Sequence, residues 1–172
     1  MASFSQLLNI LSFPIFLAFF LGLLLQPSQA TLNRTEFVNQ ILEGHNNARQ
    51  IVGVPPLKYE PLLARYARIY SNDRRQDCKL IHSRGFKFGE NLFWGQGLGW
   101  NAKNAVDAWV DEKKWYNYDN NSCSGIECTH YTQIVWRTTK RVGCAQIICD
   151  SGDVFITCEY YPPGNYIGAR PY

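Results

Sequence analysis

Two periodic patterns and one turn predict an α+β fold with a mainly antiparallel sheet for this 172-residue chain. Between residues 36 and 114 apolar side chains recur at helical spacing in three separate stretches. Between residues 131 and 161 they recur at a period of two, and Asp150-Ser151-Gly152 is a tight-turn signal inside that region. Helices that come first and strands that come later segregate into different layers, and strands joined by short turns pair antiparallel.

The first 30 residues carry no charged side chain. An apolar run over residues 10–25 leads into Gln26-Pro27-Ser28-Gln29-Ala30, and the small residues Ser28 and Ala30 fit a signal-peptidase site. Residues 1–30 are therefore expected to be a signal peptide and residues 31–172 a single domain. A membrane anchor is the competing reading, because the run approaches spanning length. The small-residue exit and the immediate start of amphipathic sequence favour cleavage.

Residues 36–50 are the first expected helix, with Phe37, Ile41 and Ala48 near one face and Gly53-Val54-Pro55-Pro56 ending it. Pro61 opens the second at a first-turn position; Leu62, Leu63, Tyr66, Ala67 and Tyr70 form its apolar stripe, with Arg65, Arg68 and Asp73 outward. The third covers 101–114, with Ala102, Ala105, Val106, Trp109 and Val110 on one side. Residues 90–94 form a short strand in a glycine-rich stretch, and 131–137, 142–149 and 154–161 read as three more.

All six cysteines fall after the leader, which reads as three disulfides in an oxidising compartment; their spacings do not form paired zinc-ligand motifs. With Ser151 at the turn centre, Cys144 lies opposite Cys158. A one-residue slip would put Cys149 and Cys158 on one face but roughly 13 Å apart, beyond disulfide reach. Cys123 and Cys128 flank a glycine-containing loop and can close on each other, which leaves Cys78 for Cys149. A net charge of +3 is too weak for a nucleic-acid partner. Asn33 and Asn120 open Asn-X-Thr/Ser sequons near expected loops or chain ends.

Of three histidines, His45 reads as a capping or packing residue, whereas His82 lies in a glycine-rich loop and His130 opens an expected strand. Glu90 opens another strand, and Glu112 ends the third helix, where its charge opposes the helix dipole. Two histidines and two carboxylates can make a metal or acid–base site. On spacing alone, four unrelated polar groups are the commoner case. Neither a G-x-S-x-G elbow nor an H-E-x-x-H motif is present. Trp115, Tyr116 and Tyr118 concentrate aromatic surface after the third helix, which suits core packing or an apolar ligand groove.

HNNAR at 45–49, LIHS at 80–83, GENL at 89–92, HYTQIVWR at 130–137 and CEYYPPGN at 158–165 occur in that order. Together they resemble the plant pathogenesis-related protein 1 family, within the superfamily of cysteine-rich secretory proteins and insect antigen 5. The resemblance spans residues 31–172 and implies a three-layer α-β-α sandwich with the same three disulfide pairs. It also implies one cleft holding His82, Glu90, Glu112 and His130. No cofactor is required; zinc occupies that cleft in some animal relatives and is the candidate here, with His82 and His130 as ligands. The resemblance implies a monomer secreted to the extracellular space, induced by pathogens and toxic to fungi or oomycetes. Its partners would be microbial sterols or related lipids, without stable membrane insertion, and Trp115, Tyr116 and Tyr118 would line the sterol site. The alternative is a metal-dependent hydrolase at the cleft. A third reading makes residues 162–172 a defence peptide released by a cut between Tyr161 and Pro162. Glu159 departs from the asparagine usual before that cut, and an end at Tyr172 favours the extracellular space over a vacuole.

Overall fold

A computed structural model describes residues 29–85 and 87–172, with side chains described from Asn33 onward. The expected leader lies almost wholly outside the described residues, among which no helix is long and apolar enough to cross a membrane. The chain divides between Arg34 and Thr35, and Thr35–Tyr172 forms the larger compact unit, which holds every element except the first turns of α1. The helices are α1 (Gln29–Ile51), α2 (Pro61–Asp73), α3 (Ala102–Asp111) and α4 (Thr129–Ile134), with a 3₁₀ turn at Glu112–Trp115. The strands are β1 (Lys58–Tyr59), β2 (Gly89–Gly95), β3 (Tyr116–Asn117), β4 (Ser122–Cys123), β5 (Arg141–Ile148) and β6 (Val154–Tyr161).

The main sheet has the order β1-β5-β6-β2, antiparallel except for the short β1–β5 pair. Alternation along β5 and β6 sends side chains to two cores. Val142, Cys144, Val154, Ile156, Cys158 and Tyr160 pack with Ile41 of α1, Val106 and Trp109 of α3, and Tyr131 and Ile134 of α4. Ile147 and Phe155 join a smaller cluster with Leu92, Cys78 and Cys149, against which Tyr70 of α2 packs. Helix α2 lies so close to this second face that a Cβ on Gly143 would sit 2.3 Å from the Ala64 nitrogen. The result is three layers, as expected. The disulfides are Cys78–Cys149, Cys123–Cys128 and Cys144–Cys158, and register does place Cys144 opposite Cys158.

The expected strand over 131–137 is instead helix α4 and the turn after it. Tyr131 to Trp136 are all buried, and a helix buried on every side has no amphipathic period to read. Two charges hold it. The carboxylate of Glu112 accepts the N–H groups of His130 and Tyr131 at its first turn. The buried guanidinium of Arg49 donates to the carbonyls of Ile134 and Trp136 at its end, to Thr139 in the turn beyond it, and to Pro55 in the segment after α1. Each charge opposes the partial charge of the helix end that it meets, so Glu112 belongs to the start of α4 as much as to the end of α3. Three smaller expectations also shift. Helix α1 starts earlier than residue 36, so Asn33 stands within a helix rather than a loop. The third helix tightens to 3₁₀ at Glu112. In α2 only Leu63, Ala67 and Ser71 are buried, while Leu62 and Tyr66 face out.

Candidate functional site

Strand β2 is an edge strand, and its alternating side chains serve two sites on opposite faces. On the α2 side, Glu90 lies across from Glu159 of β6. Glu90 Oε1 accepts from His82 Nδ1 at 2.7 Å and from the Ser83 N–H at 2.9 Å. Burial alone would raise the Glu90 pKa, but the bonds from His82 and Ser83 outweigh it and hold the carboxyl below its ordinary value. The hydrogen bond to Glu90, joined by the charges of Glu90 and Glu127, raises His82. Glu159 is buried beside the ionised Glu90, and desolvation with that neighbouring charge pushes its pKa far up. A protonated Glu159 beside the second oxygen of Glu90 reconciles two carboxyl groups whose Glu90 Oε2 and Glu159 Oε1 lack any other partner.

On the opposite face, Asn91 donates to the Tyr160 hydroxyl and to the His130 carbonyl. Tyr160 in turn meets His45 Nε2 at 2.7 Å, while His45 Nδ1 donates to the Ile41 carbonyl. His45 is fully buried, and desolvation lowers its pKa to about 4, so it packs as a neutral ring. This is the packing role read from the sequence. His130 stacks on Trp109, with ring centroids 6.0 Å apart, and its Nδ1 lies 2.6 Å from Glu112 Oε1.

Two histidine–glutamate dyads thus flank one strand, His82 with Glu90 and His130 with Glu112. Glu127, which the sequence pattern did not single out, stands near both. One of its oxygens is 3.8 Å from His130 Nδ1, and its charge also acts on His82. Glu112, Glu127 and His130 can bring three ligand atoms within 4.8 Å of one another. Glu127 accepts from the Thr129 hydroxyl, and no sequence pattern marked it. In both histidines Nδ1 faces a carboxylate, and Nε2 makes no hydrogen bond among the described residues. That is the donor arrangement of metal-binding histidines, whose second nitrogen is fixed by a carboxylate.

The three aromatics after α3 are enclosed differently. Trp115 lies under Lys114, whose ammonium is 4.4 Å from the ring, and against Gly125. Tyr116 packs on Tyr131 and lines a cavity of about 190 Å³ with Trp136 and Tyr166. Tyr118 stacks on Tyr172 at 4.6 Å. The tail over residues 162–172 covers this side. Arg137 N–H donates to the Pro171 carbonyl at 2.6 Å, Arg170 to the Tyr118 and Asp119 carbonyls, and Gly164 N–H to Gln133. Tyr161, at the expected cut, is half exposed at the end of β6, and both sequon asparagines are exposed.

Residues 42–160 match the model of the CAP, or cysteine-rich secretory protein, family. The chain is 52% identical over 148 residues to pathogenesis-related protein PR-1 of Medicago truncatula, covering 85% of each chain. It is 46% identical to pathogenesis-related protein 1 of Arabidopsis thaliana, covering 92% of this chain and 94% of that one. Among solved structures, venom allergen-like protein 4 of Schistosoma mansoni is similar with a TM-score of 0.60 and 30% identity, over 77% of this chain and 90% of that one. The chain belongs to the cysteine-rich secretory protein (CAP) family and, within it, to the pathogenesis-related 1 proteins.

Proposed function

We propose that this is a secreted plant defence protein that restrains fungi and oomycetes by binding sterols or related membrane lipids, without catalysis. The observation that carries the reading is identity at half of all positions, over 85% of both chains, with a relative named as pathogenesis-related. Three disulfides and no free cysteine suit the oxidising extracellular space. The lipid part draws on the aromatic hairpin β3–β4. Its 190 Å³ cavity is smaller than the roughly 300–1,000 Å³ of small-molecule pockets. A sterol seated against Tyr116 and Tyr118 therefore displaces part of the tail, beginning with Tyr172. Purified protein should bind ergosterol or cholesterol saturably and inhibit a sterol-auxotrophic oomycete. Failure of both assays overturns the proposal.

The cluster of Glu112, Glu127 and His130, with histidine Nε2 atoms that make no hydrogen bond among the described residues, favours a second reading, a zinc-binding cleft with hydrolase activity. His82 and His130 would hold the metal through Nε2, with Glu127 as a nearby carboxylate; the described residues bring Glu112, Glu127 and His130 within 4.8 Å of one another without His82, so this reading needs His82 to move toward them. Glu90 and Glu112 would keep the Nδ1 protons and orient the rings. A bound metal would supply Lewis-acid activation of water. Elemental analysis and protease assays on wild type and His130→Ala decide it; no metal and unchanged activity would reject it.

A further inference from the structure

The outer face of α2 does not match its burial. Leu62, Tyr66 and Ile69 are spaced as one helical stripe, yet they are exposed, Leu62 by 72% and Ile69 by 55%. The helix is docked by its other side, through Leu63, Ala67 and Ser71, the last bonded to Thr157 of β6. The loop after α2 adds Leu80 and Ile81, 56% and 50% exposed. Helix and loop meet along a groove of about 480 Å³ lined by Tyr66, Ile69 and Ile81, with Arg74 and Arg84 on its walls and Asp73 among its lining residues. His82 and Ser83 also line the groove.

Charge gathers in the same place. Residues 61–87 contain seven Lys and Arg against Asp73 and Asp77, a net +5 in a chain whose total is +3, so the remainder is net negative. Asp77 is paired to Arg74, whereas Arg65, Arg68, Lys79 and Arg84 are exposed. Arg65 and Arg68 stand one position before Tyr66 and Ile69, at the border of the apolar stripe.

We propose that this face docks the protein on an anionic phospholipid bilayer. Exposed aliphatic side chains ringed by cations suit the interface, where apolar groups enter the acyl boundary and cations meet the headgroups. An anionic polysaccharide would satisfy the cations but leave the apolar residues in water, so a bilayer uses both features. Docking of this kind is separate from holding a single sterol molecule, and either can fail without the other.

The test is cosedimentation of the secreted, disulfide-bonded protein with phosphatidylcholine vesicles containing or lacking one-third phosphatidylserine. Ergosterol binding is measured in parallel. Binding is expected only to the anionic vesicles and should fall as salt rises. Arg65→Glu/Arg68→Glu should weaken it at least about 25-fold, at about fivefold for each charge lost. Leu62→Ser/Ile69→Ser should weaken it at least about tenfold. Lys103→Glu, on α3 across the sheet, should leave it unchanged, and all variants should keep wild-type melting and sterol binding. No binding to anionic vesicles, or equal binding by all variants, overturns the proposal. So does tight binding to soluble polygalacturonate that ignores Leu62→Ser/Ile69→Ser, which would reassign the face to polysaccharide. Loss of sterol binding with vesicle docking intact would count against the proposed function alone.

Discussion

The two histidine–glutamate dyads use the same pair of residues in unlike settings. The His130 side chain is 17% exposed and that of His82 59%. His130 is stacked on Trp109, and its carboxylate partner also holds the first turn of α4. His82 sits on a loop, tied by one hydrogen bond to a carboxylate that leans on the buried acid Glu159. One dyad is thus part of the framework, while the other is a polar attachment at the sheet edge. The same side-chain chemistry contributes most where more of the backbone depends on it: Glu112 accepts two N–H groups at a helix start, and Glu90 one on a loop.

The sharpest way to break this comparison is to remove each carboxylate role in turn. Glu112→Ala strips two N–H groups and His130 of their acceptor, and should lower unfolding free energy by about 3–4 kcal/mol in urea. A loss under about 1 kcal/mol would show that α4 does not need it. Acid should act on the same side through His45, which is linked to His130 by Tyr160 and Asn91. The folded pKa of His45 is depressed to about 4 from 6.5, so the unfolded chain binds the extra proton between those values. Its contribution is full above pH 6.5 and is lost as pH falls through 4, roughly 3 kcal/mol in all. Urea midpoints measured from pH 7.5 to 4 should show that slope, and a flat profile would contradict it.

Glu159 gives the opposite sign on the other side of the strand. Its folded pKa is raised, so its contribution is full in acid and is lost as pH rises from the ordinary carboxylate range through the raised value. Glu159→Gln should keep a donor toward Glu90 and flatten the stability profile on the alkaline side. An unchanged alkaline slope would place the titration elsewhere. The smallest effect belongs to His82→Ala, under about 1 kcal/mol by the standard of exposed ion pairs. Zinc affinity, read by competition with a chelating dye, should nevertheless fall at least about tenfold if His82 is a ligand.

Much of the layering was legible in the sequence because a half-buried helix and a hairpin each leave a periodic trace. The trace identified α2, α3, β5, β6 and the Cys144–Cys158 pair. It failed at α4, where burial on all sides erases the period, and at Leu62 and Tyr66, which belong to an apolar stripe that stays exposed. The site was legible as residue types and as family motifs. Its geometry was not, since the pairing of His82 with Glu90 and His130 with Glu112 depends on how the His82 loop meets the edge strand and how the start of α4 meets the end of α3. Glu127 and Glu159 left no local pattern, because their importance comes from which charges lie beside them.

The most direct test of the proposed function is equilibrium binding of labelled ergosterol to chelator-treated protein, with His82→Ala beside wild type. Lipid binding without catalysis predicts saturable, stoichiometric binding that neither the chelator nor His82→Ala changes. Absence of saturable binding, or binding restored only by zinc, would contradict it.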